Sequence, residues 1–345
     1  MHMSDALLSP AVGGAFWGGT LAALSYASKK LKQAMDDKMI PLMGVLGAFI
    51  FAGQMINFTI PGTGSSGHIG GGMLLAVLLG PYAGFIVMAS VLTVQAVFFA
   101  DGGLLALGAN IWNLGIYPCF VAYPFIYKPL AVAGGNPRRL VLASVLSVVA
   151  ALQMGAFSVV IQTLLAGRSE LPFDTFVLLM QPIHLAIGLV EGFVTALVIN
   201  YVRSVRPEII DGTTLYGAPV GASMNKVIVV CVAAAAVTAG VLSWFASTHP
   251  DGLEWSIEKV TGGPDLPNKG HKVTSALESL QEKTAFMPDY NLKKMEGHGE
   301  QEAAAESWPA VDTGTSTAGL IGSGIVVLLI VGIGFVIRAG RRMAS

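Results

Sequence analysis

Nine runs of apolar residues follow one another along the chain, most of them close to the thickness of a bilayer in length, and they restrict the fold more than any other feature. They are Ala11–Ala27, Met39–Phe58, Ile69–Leu79, Ala83–Ala100, Ile111–Tyr127, Leu140–Leu165, Phe176–Tyr201, Val227–Phe245 and Ala318–Ile337. A membrane helix needs about 20 apolar residues. Because hydrocarbon offers the backbone no hydrogen-bond partner, such runs must satisfy their own N–H and C=O groups. The pattern predicts an all-α polytopic membrane protein with nine spans. The third run is too short to cross alone and is stopped by Gly80-Pro81, so it is expected to run on through Tyr82 or to sit in a recess lined by protein.

Charge gives the runs an orientation. Only 12% of the residues are charged, against about 25% in an average soluble domain. Lys29, Lys30, Lys32 and Lys38 lie between the first two runs, Lys128, Arg138 and Arg139 between the fifth and sixth, and Arg203, Arg206 and Lys226 between the seventh and eighth; Arg338, Arg341 and Arg342 close the chain. With strict alternation these clusters fall on one side, and the opposite short loops hold only Arg168. Basic loops stay in the cytoplasm. The expectation is a multi-pass protein of a bacterial-type inner or cell membrane, with Met1 outside, Ser345 inside and lipid around it. The start lacks the basic stretch of a signal peptide, since its lysines come after the apolar run, so His2 is expected to be retained. A net charge of −1 with no long basic run excludes nucleic acid as a partner.

Composition changes at residues 247–317, which are polar and rich in Gly, Pro, Lys and Glu. The division expected is a seven-span unit, 1–210, a cytoplasmic linker, 211–226, and a two-span unit, 227–345, with residues 247–317 as an external loop. Within that loop Ser275-Ala276-Leu277-Glu278 has capping-box spacing and predicts a helix start. Trp244 and Trp308 flank it where interfacial aromatics belong. Cys119 and Cys231 sit inside apolar runs and are expected to act as small core residues.

The chemistry open to the chain is narrowed by what it lacks. There is no phosphate loop ending in Gly-Lys-Ser/Thr, no HExxH pair and no Gly-x-Ser-x-Gly elbow. The chain is therefore expected to be no enzyme and to bind no ATP; transport or binding is favoured. The opening Met1-His2-Met3-Ser4-Asp5 then acquires a meaning. A free amine on residue 1, the amide nitrogen of residue 2 and the imidazole Nδ1 of His2 can close fused chelate rings around one ion. Such a planar nitrogen set suits Ni(II) and Cu(II) better than tetrahedral Zn(II). The plain alternative is a solvated terminal histidine. His68, in the glycine- and serine-rich loop Asn57–His68 on the same side as Met1, is the candidate for a fourth donor. Imidazoles near their ordinary pKa of about 6.5 would let such a site weaken below about pH 7.

Met1-His2-Met3-Ser4-Asp5, Gly64-Ser65-Ser66-Gly67-His68, Gln95-Ala96 with Asp101-Gly102-Gly103-Leu104, and the stretch His184–Gly192 resemble the CbiM/NikM substrate-binding component of cobalt/nickel energy-coupling-factor (ECF) transporters. The likeness covers about the first 210 residues. His249-Pro250-Asp251-Gly252-Leu253-Glu254-Trp255 is similar to the PDGLE domain of the nickel-associated N component, so the whole resembles a fused NikMN arrangement. The resemblance implies Ni2+ as transported substrate, Co2+ second. It also implies a transmembrane coupling (T) component and cytoplasmic ABC-type ATPase subunits as partners, with the metal held by Met1, His2 and His68.

Other polar residues are read around that set. Asn57, Ser65, Ser66, Gln95, Asp101, Asn110 and Asn113 are expected to fix the loops near His68 without touching the ion. His184 and Glu191, two helical turns apart, share a face. Ionisable groups inside a membrane are functional candidates, here for an ion path or for coupling to the partner; the other reading is hydrogen bonding between helices. His249, His271 and His298 are expected to be solvated loop residues. A self-sufficient cation channel or secondary transporter is the competing class, but it calls for inverted repeats and midplane carboxylates. No repeat is visible, and Glu191 alone is a clear buried carboxylate.

Overall fold

The apolar runs become helices whose ends are set by residues that cannot continue one. The computed structural model describes residues 2–34, 39–131, 136–168, 170–205, 222–263, 266, 271–292 and 308–342. Helix α1 (Pro10–Ala34) begins on a proline, whose missing N–H is unneeded in a first turn. α2 (Met39–Gln54) is buried along nearly its whole length. α3 (Gly72–Leu79) has only eight residues, all buried, and lies between Gly71 and Gly80, both at positive φ. At about 1.5 Å per residue it cannot cross hydrocarbon, and it occupies a recess among the other helices. α4 (Pro81–Phe99) restarts at once on a proline.

α5 (Leu107–Ile111) runs without a break into a π-helical stretch, Trp112–Tyr127, and a final turn, Lys128–Leu130. Pro118 and Pro124 lie inside it and have no N–H to complete an α-helical ladder, which accounts for the widened turn. α6 (Pro137–Leu165) starts from Asn136, whose side chain accepts the Arg138 N–H, and packs along α7 (Phe173–Val205). Gly188 and Gly192 bring these two backbones together: a Cβ on Gly192 would lie 2.7 Å from the Val145 Cα. Small residues four apart serve this purpose where apolar burial gives no driving force. α8 (Ala222–Gly240) and α11 (Thr313–Arg342) both pack on α2, joining the second unit to the first.

Among the described residues four helices, over Pro81–Phe99, Pro137–Leu165, Phe173–Val205 and Thr313–Gly340, are long and apolar enough to cross a membrane. Their outward faces carry Leu178, Leu197, Leu328 and Val336, each more than 70% exposed. A soluble surface does not present such a belt, whereas lipid does. Cys119 and Cys231 are buried and free, as small core residues would be.

The polar segment 247–317 holds α9 (Gly252–Thr261) and α10 (Lys272–Thr284). One expectation is corrected here. Ser275 does not start a helix: α10 begins three residues earlier, after His271, and the Ser275 N–H already donates to the His271 carbonyl. Lys272-Val273-Thr274 continues the helix backwards past the apparent capping motif. The capping box of this segment is instead Asp251–Glu254, where Asp251 Oδ1 accepts from the N–H groups of Leu253 and Glu254, and Glu254 Oε2 accepts from the Asp251 N–H.

Candidate metal centre

Residues 2–5 are threaded into the protein. Met3 is fully buried. Its N–H donates to Asn110 Oδ1 (2.9 Å), and its carbonyl accepts from Asn110 Nδ2 (3.1 Å) and from the Gly103 N–H (2.9 Å). Two residues on, Asp5 Oδ1 accepts the Ala106 N–H at 2.9 Å. A two-sided amide clamp from α5 and hydrogen bonds from the loop after α4 thus fasten the segment, and Gly103 has no side chain because Asp5 occupies that space. His2 is drawn in with it: its side chain is 7% exposed. Met1 lies outside the described residues, as do His298 and most of the 211–226 linker.

The loop after α2 meets His2 from the other side. Asn57 leads into a short antiparallel hairpin, β1 (Phe58–Ile60) and β2 (Ser65–Gly67), and His68 follows directly. The imidazoles of His2 and His68 stack in parallel, with centroids 5.0 Å apart and 5° between planes. His68 Nδ1 is 3.0 Å from the Ile69 carbonyl. A carbonyl only accepts, so that nitrogen carries the proton and Nε2 carries the lone pair a metal needs. Burial pushes the His68 pKa down to about 3, keeping the ring neutral. The onset near pH 7 expected from the ordinary histidine value therefore does not apply to His68.

His2 Nδ1 faces Asp101 Oδ1 at 3.1 Å, while His2 Nε2 is buried without a partner. The Tyr290 hydroxyl donates to the other Asp101 oxygen at 2.5 Å. Burial alone would raise the Asp101 carboxyl, but His2 and Tyr290 outweigh it and hold the group far below the usual carboxylate range. Gln95 is fully buried, and its carbonyl accepts the Asp101 N–H. A cavity of about 530 Å³ opens over the pair, lined by His2, Asn57, His68 and the carboxylates of Asp5, Asp101, Asp251, Glu254, Glu278 and Asp289.

The second unit contributes directly. The Ser66 N–H and hydroxyl donate to the carbonyls of Pro250 (2.8 Å) and His249 (2.7 Å), so the 249–251 backbone meets β2 in a single parallel bridge. Ser65 holds the hairpin turn through the Thr63 hydroxyl, and Trp255 Nε1 donates to the Thr63 carbonyl. This brings Asp251 to a second, water-sized cavity with His68 and His184. Sequence reasoning passed over Asp251 and Tyr290; the Asp-x-x-Glu spacing at 251–254 was a legible signal for the first, while nothing local marks the second.

The remaining candidates sit deeper. His184 Nδ1 is 2.8 Å from the Met180 carbonyl of its own helix. Glu191 reaches out of α7 and accepts the N–H groups of Gly70 (2.6 Å) and Gly71 (2.8 Å). Asn113 pairs with Gln162 through both amide groups and does not join the loops at His68. Among the described residues no three His, Cys, Asp or Glu side chains gather as a metal site; His2 and His68 form a pair that needs further donors.

Met3 and Asp5 are buried and His2 is set beside a loop histidine, under a carboxylate-lined cavity, in a helical membrane protein, an arrangement suited to a cation transport protein. The chain belongs to the CbiM family, described as the cobalt uptake substrate-specific transmembrane region, whose family model matches residues 2–209. A PDGLE domain matches residues 225–339. It is 31% identical over 332 residues to a putative fused nickel transport protein NikMN of Archaeoglobus fulgidus, covering 95% of this chain and 96% of that one. It is 30% identical over 248 residues to the fused nickel transport protein NikMN of Rhodobacter capsulatus, covering 67% and 71% respectively. Among solved structures it is similar to a transition metal transporter at 31% identity and a TM-score of 0.53, over 61% of this chain and 97% of that one.

Proposed function

We propose that the chain is the substrate-capture subunit of an ATP-driven ECF-type importer, with Ni2+ as its substrate and Co2+ as the second choice. The observation that carries this reading is the stacked pair of His2 and His68, held by a threaded N-terminal segment and set beneath a carboxylate-lined cavity. The ion is held by the Met1 amine, the His2 amide and imidazole, and His68. All four are nitrogen donors, which suits Ni(II). His2 Nδ1 exchanges its contact with Asp101 for the metal, and the carboxylate then balances the charge next to it. Asn57, Ser65, Ser66, Gln95, Asp101 and Asn110 support the loops. His184 and Glu191 connect the site to α7.

Energy comes from a T component and ABC-type ATPase subunits docked on the cytoplasmic ends of the 1–210 unit. The basic clusters favour Met1 and residues 247–317 outside a bacterial-type cell membrane and Ser345 inside. X-ray absorption on the nickel-loaded, purified chain tests the proposal: four nitrogen donors including two imidazoles are expected, and coordination dominated by oxygen or sulfur, or no bound ion, overturns it. The same preparation is expected to show no ATPase activity.

A further inference from the structure

The peptide joining Ile69 to Gly70 is gripped at both ends. Its N–H donates to Glu191 Oε2 at 2.6 Å, and its C=O holds His68 Nδ1 at 3.0 Å. The next peptide is held too: the Gly71 N–H donates to Glu191 Oε1 at 2.8 Å, and the Gly70 carbonyl accepts from Gln54 Nε2 at 2.8 Å. Glu191 and Gln54 are 3% and 4% exposed, so neither grip is loosened by water. Both Glu191 oxygens are engaged by backbone, which makes the carboxylate a poor station for a passing ion and a good anchor.

Metal-bound histidines generally donate their second ring N–H to a group that fixes the tautomer and raises the basicity of the ligating nitrogen. Here that group is a carbonyl whose own peptide N–H faces a carboxylate. Charge-assisted hydrogen bonding at the N–H polarises the amide and makes its C=O a stronger acceptor. We propose that Glu191 is the positioning residue of the metal site, acting on His68 through the Ile69–Gly70 peptide so that His68 Nε2 is aimed and made more basic. Because Glu191 belongs to α7, that helix is connected to a metal ligand through one peptide. The inference rests on the nickel-site reading above.

The test is a double-mutant cycle in the full chain, using nickel titration with gel filtration as the folding check. Glu191→Gln offers one carbonyl oxygen to two N–H donors and turns an amide N–H toward one of them. It is expected to weaken nickel binding about 10- to 100-fold, as loss of an outer partner does elsewhere, and to shift the ligand-field spectrum. In a His68→Ala background the same change is expected to cost nothing further, because the ligand it positions is gone. An equal fold-loss in both backgrounds would mean a general structural role and overturns the proposal. Unchanged affinity in Glu191→Gln, with binding weakened but still measurable in His68→Ala, overturns it while leaving the metal site intact. Wild-type affinity in His68→Ala sinks the site and this inference together. Should Glu191→Gln fail to fold, Gln54→Leu frees the other side of Gly70 and is expected to show a smaller loss with the same dependence on His68; additivity with His68→Ala there again refutes the argument.

Discussion

Gly103→Ala is the sharpest probe of the threaded N-terminus, because the whole site depends on a segment that nothing covalent fixes in place. A Cβ at this position would overlap the Asp5 carboxylate and its backbone nitrogen, and backbone cannot swing aside as a flexible side chain does. Overpacking of this kind costs about 1–3 kcal/mol. Relief by sliding the segment outward gives up the Gly103–Met3 hydrogen bond and the Asp5–Ala106 hydrogen bond, both 2.9 Å. The first is worth about 1 kcal/mol and the second, to a carboxylate, about 1.5–3 kcal/mol. Strain and sliding are alternatives, about 1–3 kcal/mol if the segment stays and about 2.5–4 kcal/mol if it slides, and about 2 kcal/mol expressed in affinity weakens nickel binding about 30-fold. The helices should be indifferent, since their backbones are bonded internally. Nickel titration paired with hydrogen exchange at residues 2–8 checks this. Affinity within twofold of wild type, with Met3 still protected, would refute the idea that this loop holds the N-terminus in the site.

Three further predictions follow from the same geometry. One residue added before Met1 converts its amine to an amide and is expected to abolish high-affinity nickel binding in calorimetry while gel filtration stays unchanged; full affinity would remove the amine from the ligand set. His68 is neutral in both folded and unfolded states above pH 6.5, and between there and its folded value of about 3 only the unfolded chain takes up the proton. Stability should therefore be at its full value above pH 6.5 and fall as pH drops toward 3. His68→Ala should lack that slope between pH 6.5 and 5 in thermal melts, and parallel slopes would contradict the burial argument. Finally, an impermeant maleimide is expected to label His271→Cys and not Lys30→Cys in intact cells, and labelling at position 30 would reverse the orientation.

How far the site could be read in advance depends on how local each signal is. The meeting of His2 and His68 is legible because an amine, an amide and an imidazole at the start of a chain are suited to chelation, and glycine spacing announces a loop that could reach them. The helices are legible because hydrocarbon forces the backbone to satisfy itself. Asn110 clamps Met3 across 107 positions, and Tyr290 reaches Asp101 across 189; no pattern along the sequence encodes such pairs. The false helix start at Ser275 fails for a related reason, since a capping motif competes with whatever helix-forming residues precede it.

The placement of Glu191 gives a physical account of why a buried carboxylate is tolerated in α7 at all. An unpaired charge in hydrocarbon is expensive, and this one is met by two backbone N–H groups just ahead of the first turn of α3. The helix dipole there favours a negative partner. Those N–H groups are available because α3 is too short to span and begins inside the protein, with all of its residues buried. The truncated third run and the buried glutamate therefore explain each other: a full-length helix would begin at the membrane surface, and the loop that ends in His68 would then have no anchor beneath it.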